Sequence, residues 1–134
     1  MANPSTIYHM MPQSAWQAWQ ATSTEGYKPP TFDADGGFIH CTSELDTMLT
    51  VANRFLIGIA EPIVVLQLDV DKCSAEVVFE APAPVGETDS PAELETVLFP
   101  HIYGPLNMEA VSDSWLATRA TDGAFVNMAK PAEA

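Results

Sequence analysis

The stretch IVVLQLDV, residues 63–70, has the strongest strand character in the chain. Four of its eight residues are β-branched, and only Gln67 and Asp69 interrupt the apolar run. β-branched residues favour strands, and a nearly continuous apolar run is typical of a strand that is covered on both faces. The segment therefore predicts a central strand of a sheet.

Two helices are predicted before this strand. The first spans residues 13–22, where Trp16 and Trp19 are three residues apart and so share one face. The second is expected to be capped by Thr42 or Ser43, because hydroxyl side chains commonly accept hydrogen bonds from the first helical amides. It is expected to run to about residue 56, with an apolar stripe formed by Met48, Val51, Ala52 and Phe55.

Short strands and loops account for the rest of the chain. In one of these strands Val77 and Phe79 face one side, and Glu80 faces the other. The segment at 82–92, rich in proline and acidic residues, predicts an exposed loop before a short element at 94–99. The predicted strands are residues 6–10, 38–41, 63–70, 75–81 and 110–118, of which 110–118 is the last. Strands mixed with two early helices indicate an α+β fold rather than a doubly wound parallel sheet.

Length and composition indicate one folded domain. The chain has 134 residues, of which 47% are hydrophobic, so it can bury a core without disulfides. We expect a single domain over residues 1–134 with an ordered core at about 5–128. Cys41 and Cys73 do not have the spacing of a disulfide framework or metal motif, and a small buried residue explains Cys41 best. No apolar run reaches membrane-spanning length and no signal-peptide pattern is present, so we expect a cytoplasmic protein without a membrane partner.

The charge balance narrows the possible partners. Eighteen acidic and five basic side chains give a formal net charge of −13. Such a charge repels the phosphate backbone and argues against general nucleic-acid binding, although a locally positive pocket could still bind a small anion. The five basic residues are Lys28, Arg54, Lys72, Arg119 and Lys130.

The three histidines are the candidate functional residues. They occur in the motifs Tyr-His-Met at 8–10, Phe-Ile-His-Cys-Thr-Ser at 38–43 and Phe-Pro-His-Ile-Tyr-Gly-Pro at 99–105. Each of His9, His40 and His101 lies in strand-like, aromatic company, so we expect them to converge on one cleft. Histidine titrates near neutral pH and can transfer protons, bind metals or form hydrogen bonds. The alternative for each is a hydrogen-bonded packing residue.

The second and third motifs offer groups for a ligand. After His40, a helix start at Thr42 and Ser43 would place hydroxyls beside unpaired backbone amides, which attract a pyrophosphate, a carboxylate or a ribose. In the third motif, prolines and a glycine stiffen the backbone around His101 and Tyr103, as expected of a ligand wall. The alternative is a turn whose aromatic side chains fill the core.

Four motifs together resemble the bacterial and plant family called domain of unknown function nine-five-two. They are Ile-Tyr-His at 7–9, Asp-Gly-Gly-Phe-Ile-His-Cys at 35–41, Ala-Asn-Arg-Phe at 52–55 and Phe-Pro-His-Ile-Tyr-Gly-Pro-Leu at 99–106. The resemblance covers about residues 6–115 in order. The name of this family states that its activity is not established.

A more distant resemblance is to RNA 2'-phosphotransferases of the ADP-ribosyltransferase superfamily. Their first strand is similar to residues 8–10, their second histidine motif to residues 38–42, and a following strand to residues 65–69. The resemblance implies an ADP-ribosyltransferase-like fold in which mostly antiparallel sheets carry the two helices. It also implies that NAD binds with its ribose at His9. In the sequence comparison, Arg54 falls near the position of an arginine in the helix that follows the second histidine motif of that family.

This chain departs from the superfamily pattern at two places. Asp33 and Asp35 stand where the phosphotransferases have an arginine, and His101 or Glu109 stands where most ADP-ribosyltransferases have a catalytic glutamate. A shared fold is therefore compatible with a different reaction or with none.

Three functions follow for the predicted cleft. In the leading hypothesis it binds NAD or a related nucleotide, and His9, His40 and His101 serve an ADP-ribosyl or phosphoryl transfer. His9 would hold the ribose, His101 would orient an acceptor or act as a base, and the other binding residues would be Thr42, Ser43, Tyr103 and Arg54. The second is a non-catalytic small-molecule sensor or protein-interaction module. The third is a zinc site of three histidines, which is disfavoured because no two ligands have the close spacing of metal motifs, so no metal is predicted.

Overall fold

The computed structural model describes residues 4–22, 25–81 and 97–131. The fold is α+β, with antiparallel sheets and two helices. The elements in chain order are β1 (Thr6–Pro12), α1 (Gln13–Thr22), β2 (Ile39–His40), α2 (Leu45–Phe55), β3 (Ile63–Asp69), β4 (Val77–Glu80), β5 (Phe99–Ile102), β6 (Val111–Leu116), β7 (Thr118–Arg119) and β8 (Phe125–Asn127). Among these residues, no helix is long and apolar enough to cross a membrane.

Strand β3 is the centre of the first sheet, whose order is β1-β3-β6. Both neighbours are antiparallel to it, and Leu66 pairs with His9 on one side and with Ser114 on the other. Val64 and Leu66 contribute to one apolar cluster, whereas Ile63 and Val65 contribute to another. The strand is thus covered on both faces, and the central-strand prediction is confirmed.

The second sheet has the order β2-β5-β4 and is also antiparallel. His101 of β5 lies opposite His40 on one side and opposite Val78 on the other. A bridge between Tyr8 and Thr42 joins the two sheets, with amide-to-carbonyl hydrogen bonds of 2.7 and 2.9 Å. This bridge brings the first histidine strand beside the second histidine motif.

The helices agree with the sequence except at one cap. Helix α1 has the predicted bounds, and the rings of Trp16 and Trp19 contact each other at a centroid distance of 5.6 Å. Helix α2 begins at Leu45 with Glu44 as its N-cap, so the prediction of a Thr42 or Ser43 cap is wrong. The reason is the bridge to Tyr8, which keeps the backbone at Thr42 extended and delays the helix start.

The strands differ from the prediction mainly in their lengths. Strand β1 extends two residues further, β2 pairs over only two residues, and β4 is shorter than 75–81. The segment at 110–118 is not the last strand: it divides into β6 and β7, and β7 pairs with β8. The turn between β7 and β8 contains Gly123 at φ 95°, which glycine adopts readily. The predicted loop at 82–92 lies outside the described residues, as does the first half of the predicted element at 94–99.

Candidate functional site

The three histidines line one cavity of about 340 Å³. His9 comes from β1, His40 from β2 and His101 from β5, so the junction of the two sheets brings them together. The geometry therefore agrees with the expected convergence, and the functional roles of the three stay predictions. The rest of the wall is mostly apolar and includes Tyr27, Pro29, Pro30, Val51, Phe55, Leu56, Ile59 and Phe99.

His9 is buried and presents an unpartnered nitrogen. Its Nδ1 donates a hydrogen bond to the carbonyl of His40 at 2.7 Å. Burial lowers the pKa of His9 from 6.5 to about 4, so the ring is neutral at physiological pH. With the proton on Nδ1, Nε2 is a hydrogen-bond acceptor, and no group in the described part of the chain donates to it.

Thr42, which also lines the cavity, carries a second unpartnered polar atom. Its backbone is paired with Tyr8, and its side chain is buried. No described residue forms a hydrogen bond with Oγ1. A buried polar atom without a partner costs about 1–3 kcal/mol, and both of these atoms belong to residues that line the cavity.

His101 is held by a carboxylate that sequence reasoning missed. Its Nδ1 lies 2.7 Å from Oε1 of Glu80, and the hydroxyl of Tyr103 donates to the same oxygen. The hydrogen bond from Tyr103 and then that from His101 lower the pKa of Glu80, and Glu80 in turn raises the pKa of Tyr103. The sequence signal for this contact is the alternation in β4, which places Glu80 on the same face as Val78, the partner of His101.

His40 is also paired with a carboxylate. Its Nε2 lies 3.0 Å from Oδ2 of Asp35, whose side chain is only 1% exposed. The pKa of His40 is lowered, because burial outweighs the opposing effect of Asp35. The imidazoles of His40 and His101 are 5.5 Å apart between centroids, and Phe38 stacks on His101 at 4.2 Å. In the sequence, Asp35 stands out only as the first residue of the motif at 35–41 and as a departure from the phosphotransferase pattern.

Three predicted binding residues do not line the cavity. Ser43 is partly buried, Tyr103 is 40% exposed and bound to Glu80, and Arg54 is exposed on α2 with its guanidinium 6.0 Å from the ring of Phe55. Glu109 is exposed and does not contribute either. None of the cavity-lining residues is a lysine or an arginine. The site consequently lacks the cation that an enclosed phosphate would require.

Other chemistries receive less support from these side chains. Within the described ranges, no group of three or more His, Cys, Asp or Glu residues is placed to hold a metal ion. Cys41 lines the cavity, but burial raises the pKa of its thiol well above the ordinary value. A thiol that stays protonated is a poor nucleophile, and Cys41 therefore serves as a small buried residue.

A family model described as "Protein of unknown function (DUF952)" matches residues 10–114. The chain belongs to the DUF952 family. The matched range contains His40 and His101 and starts one residue after His9. No curated protein matches this DUF952 chain.

Solved structures of one protein share the fold. The crystal structure of protein CC0527 from Caulobacter crescentus is 23% identical in sequence, covers 90% of this chain and 93% of its own, and has a TM-score of 0.69. Its solution NMR structure is also 23% identical, covers 90% of each chain and has a TM-score of 0.65. At this level of identity the likeness shows the DUF952 fold alone.

Proposed function

We propose that the histidine cavity binds the uncharged, nucleoside-sized part of a small molecule, with NAD or a related nucleotide as the leading candidate. The observation that carries the proposal is the pair of unpartnered buried atoms, Nε2 of His9 and Oγ1 of Thr42, on two residues that line one mostly apolar cavity. Unsatisfied polar atoms are rare in protein interiors and are expected where a ligand supplies the partner.

The two atoms define what the ligand must offer. Nε2 of His9 only accepts, so the ligand presents an O–H or N–H group there. The hydroxyl of Thr42 donates or accepts, and the apolar side chains around it favour a flat ring. The ligand must therefore offer a donor to His9, a polar atom to Thr42 and a flat ring to the apolar wall. A nucleoside meets these requirements with its ribose hydroxyls and its base, and a carboxamide on an aromatic ring also meets them.

Size and charge refine the orientation of the ligand. At about 340 Å³ the cavity lies near the lower end of ligand pockets, which span about 300–1,000 Å³, so it holds a nucleoside rather than a whole dinucleotide. Because no basic side chain lines it, the phosphates of NAD would extend outside. This differs from the expectation that a pyrophosphate binds at the helix start beside Thr42 and Ser43.

The proposal includes an ADP-ribosyltransferase-like fold and function. In the enzymatic form, His9 contacts the ribose and one of the two carboxylate-held imidazoles, His40 or His101, serves the transfer of an ADP-ribosyl or phosphoryl group. In the non-catalytic form, the same contacts serve a sensor. Both forms require the cavity to be a ligand site, and this requirement is tested first.

Calorimetric titration tests the binding site. We would titrate wild type, Thr42→Val and Thr50→Val with NAD, nicotinamide riboside and adenosine. Thr50 lies on α2 outside the cavity wall, so its valine variant is a matched control. We expect binding in wild type and Thr50→Val, and an affinity about 5- to 100-fold weaker in Thr42→Val, as expected for one lost hydrogen bond.

Two outcomes would contradict the proposal. The first is the absence of heat for all three compounds at millimolar concentration with wild type. The second is equal affinity in Thr42→Val and Thr50→Val, which would place the ligand elsewhere.

A further inference from the structure

One face of the second sheet carries side chains that the proposed ligand contacts do not use. Alternation along each strand and the register around His101 bring them together, because His40 and Val78 lie directly opposite it. The residues on this face include Phe38, His40, Val78, Glu80, His101 and Tyr103. The opposite face contributes Ile39, Ile102, Val77 and Phe79 to the core.

The position of His101 is fixed by two direct contacts, one of which is supported by a third side chain. Phe38 stacks on its ring at 4.2 Å with an interplanar angle of 24°. Glu80 accepts a hydrogen bond from Nδ1 at 2.7 Å, and Tyr103 donates to that same carboxylate oxygen. Since the side chain is only 2% exposed, rotation of the ring would break each of these contacts.

This geometry selects one tautomer of His101. A carboxylate opposite Nδ1 retains the proton there, so Nε2 carries the lone pair. His101 lines the cavity, and no described residue forms a hydrogen bond with Nε2. Nε2 is therefore the nitrogen that remains for a group bound in the cavity.

We propose that His101 is a general base at this cavity and that Glu80 is its positioning residue. In the step, a hydroxyl or water held beside His101 transfers its proton to Nε2, and the oxygen lone pair attacks the electrophilic carbon of the bound molecule. The bond from that carbon to its leaving group breaks, and the leaving group takes the electron pair. Nδ1 keeps its own proton, and the carboxylate of Glu80 stabilises the imidazolium that forms. The proton leaves later to the departing group or to solvent.

The inference uses the same cavity as the proposed function but not the same ligand. The proton transfer requires only a hydroxyl or water and an electrophile, so it can be tested without a nucleotide. A negative result with NAD would consequently leave this test intact.

The first experiment is ¹⁵N NMR of the imidazole side chains near neutral pH. In wild type we expect the His101 signals of a ring protonated on Nδ1. Glu80→Gln retains an oxygen that can accept from Nδ1 and should keep this tautomer, whereas Glu80→Leu should lose it. A wild-type His101 protonated on Nε2 would overturn the proposal, whatever the variants show.

The second experiment is hydrolysis of 4-nitrophenyl acetate, a small aromatic ester. Water gives a proton to Nε2, its oxygen bonds to the acyl carbon, and 4-nitrophenolate leaves. We expect the rate of hydrolysis to fall about tenfold or more in both His101→Gln and Glu80→Gln. A positioned general base usually contributes a factor at least this large. Glu76→Gln is the matched control, because Glu76 is exposed on the segment just before β4. Equal rates in Glu80→Gln and Glu76→Gln would overturn the assignment of Glu80, and an unchanged rate in His101→Gln would overturn that of the base.

Discussion

Two buried side chains, His9 and Thr42, have one unpaired hydrogen-bonding atom each among the described residues. The cause lies in the backbone rather than in the side chains. The Tyr8–Thr42 bridge and the hydrogen bond from His9 to the His40 carbonyl fix both residues in place. The backbone of Thr42 and the ring of His9 are thus held in place, as expected of a preformed ligand site.

Burial of His9 predicts a pH dependence of stability. The pKa is about 4 in the folded chain and 6.5 in the unfolded chain, so below pH 6.5 the unfolded state binds the proton first. The stability that comes from neutral His9 is therefore lost as the pH falls from about 6.5 towards 4, by about 3 kcal/mol over the whole window. Urea unfolding at pH 7 and pH 4.5 should show a larger decrease in the free energy of unfolding for wild type than for His9→Gln. Equal decreases in the two proteins would show that His9 is not buried as a neutral ring.

At the scale of elements, β3 holds the fold together. It pairs with a strand on each side and contributes side chains to both apolar clusters. Leu66→Ala should therefore cost about 2–5 kcal/mol in the free energy of unfolding, through lost burial and a cavity. Leu116→Ala is the matched control on β6, because that leucine is 43% exposed, and it should cost less than about 1 kcal/mol. Similar losses in denaturant unfolding of the two variants would contradict the central position of β3.

Arg119 joins the β7–β8 hairpin to the segment after α2. Its guanidinium donates to the carbonyls of Ile57, Ile59 and Glu61 at 2.6–3.1 Å and lies 4.4 Å from the ring centre of Phe125. Because Ile59 lines the cavity, Arg119 also supports the apolar wall of the site.

The arginines provide a matched comparison. Arg119→Ala leaves several carbonyls without their donor and should lower the free energy of unfolding by about 2–3 kcal/mol. Arg54→Ala, at an exposed position on α2, should change it by no more than about 0.5 kcal/mol. Thermal and urea unfolding of the two variants measure the difference, and an equal effect would show that the Arg119 contacts do not stabilise the fold.

At the scale of the whole molecule, the local patterns were predictable and the long-range pairings were not. The apolar run of residues 63–70 and the tryptophan spacing in residues 13–22 contain enough information to identify β3 and α1. The cap of α2 was predicted wrongly because the partner of Thr42 is Tyr8, which lies 34 residues earlier in the chain. The β7–β8 hairpin was missed because its strands are only two and three residues long.

In the candidate site, too, local features of the sequence were predictable and the contacts made by folding were not. Rarity and strand-like surroundings were sufficient to select the three histidines. The carboxylates of Asp35 and Glu80 were not selected. The contact of Glu80 with His101 depends on the register of β4 and β5, and that of Asp35 with His40 depends on the conformation of the turn before β2. Arg54 was selected as a cation near the second motif, but only the orientation of α2 decides whether it reaches the cavity, and it does not.

A crystal structure of the protein soaked with nicotinamide riboside tests the central claim most directly. The account predicts the compound inside the histidine cavity, with one of its O–H or N–H groups at hydrogen-bond distance from Nε2 of His9 and a polar atom at that distance from Oγ1 of Thr42. Density for water alone at both atoms, or the compound bound outside this cavity, would contradict it.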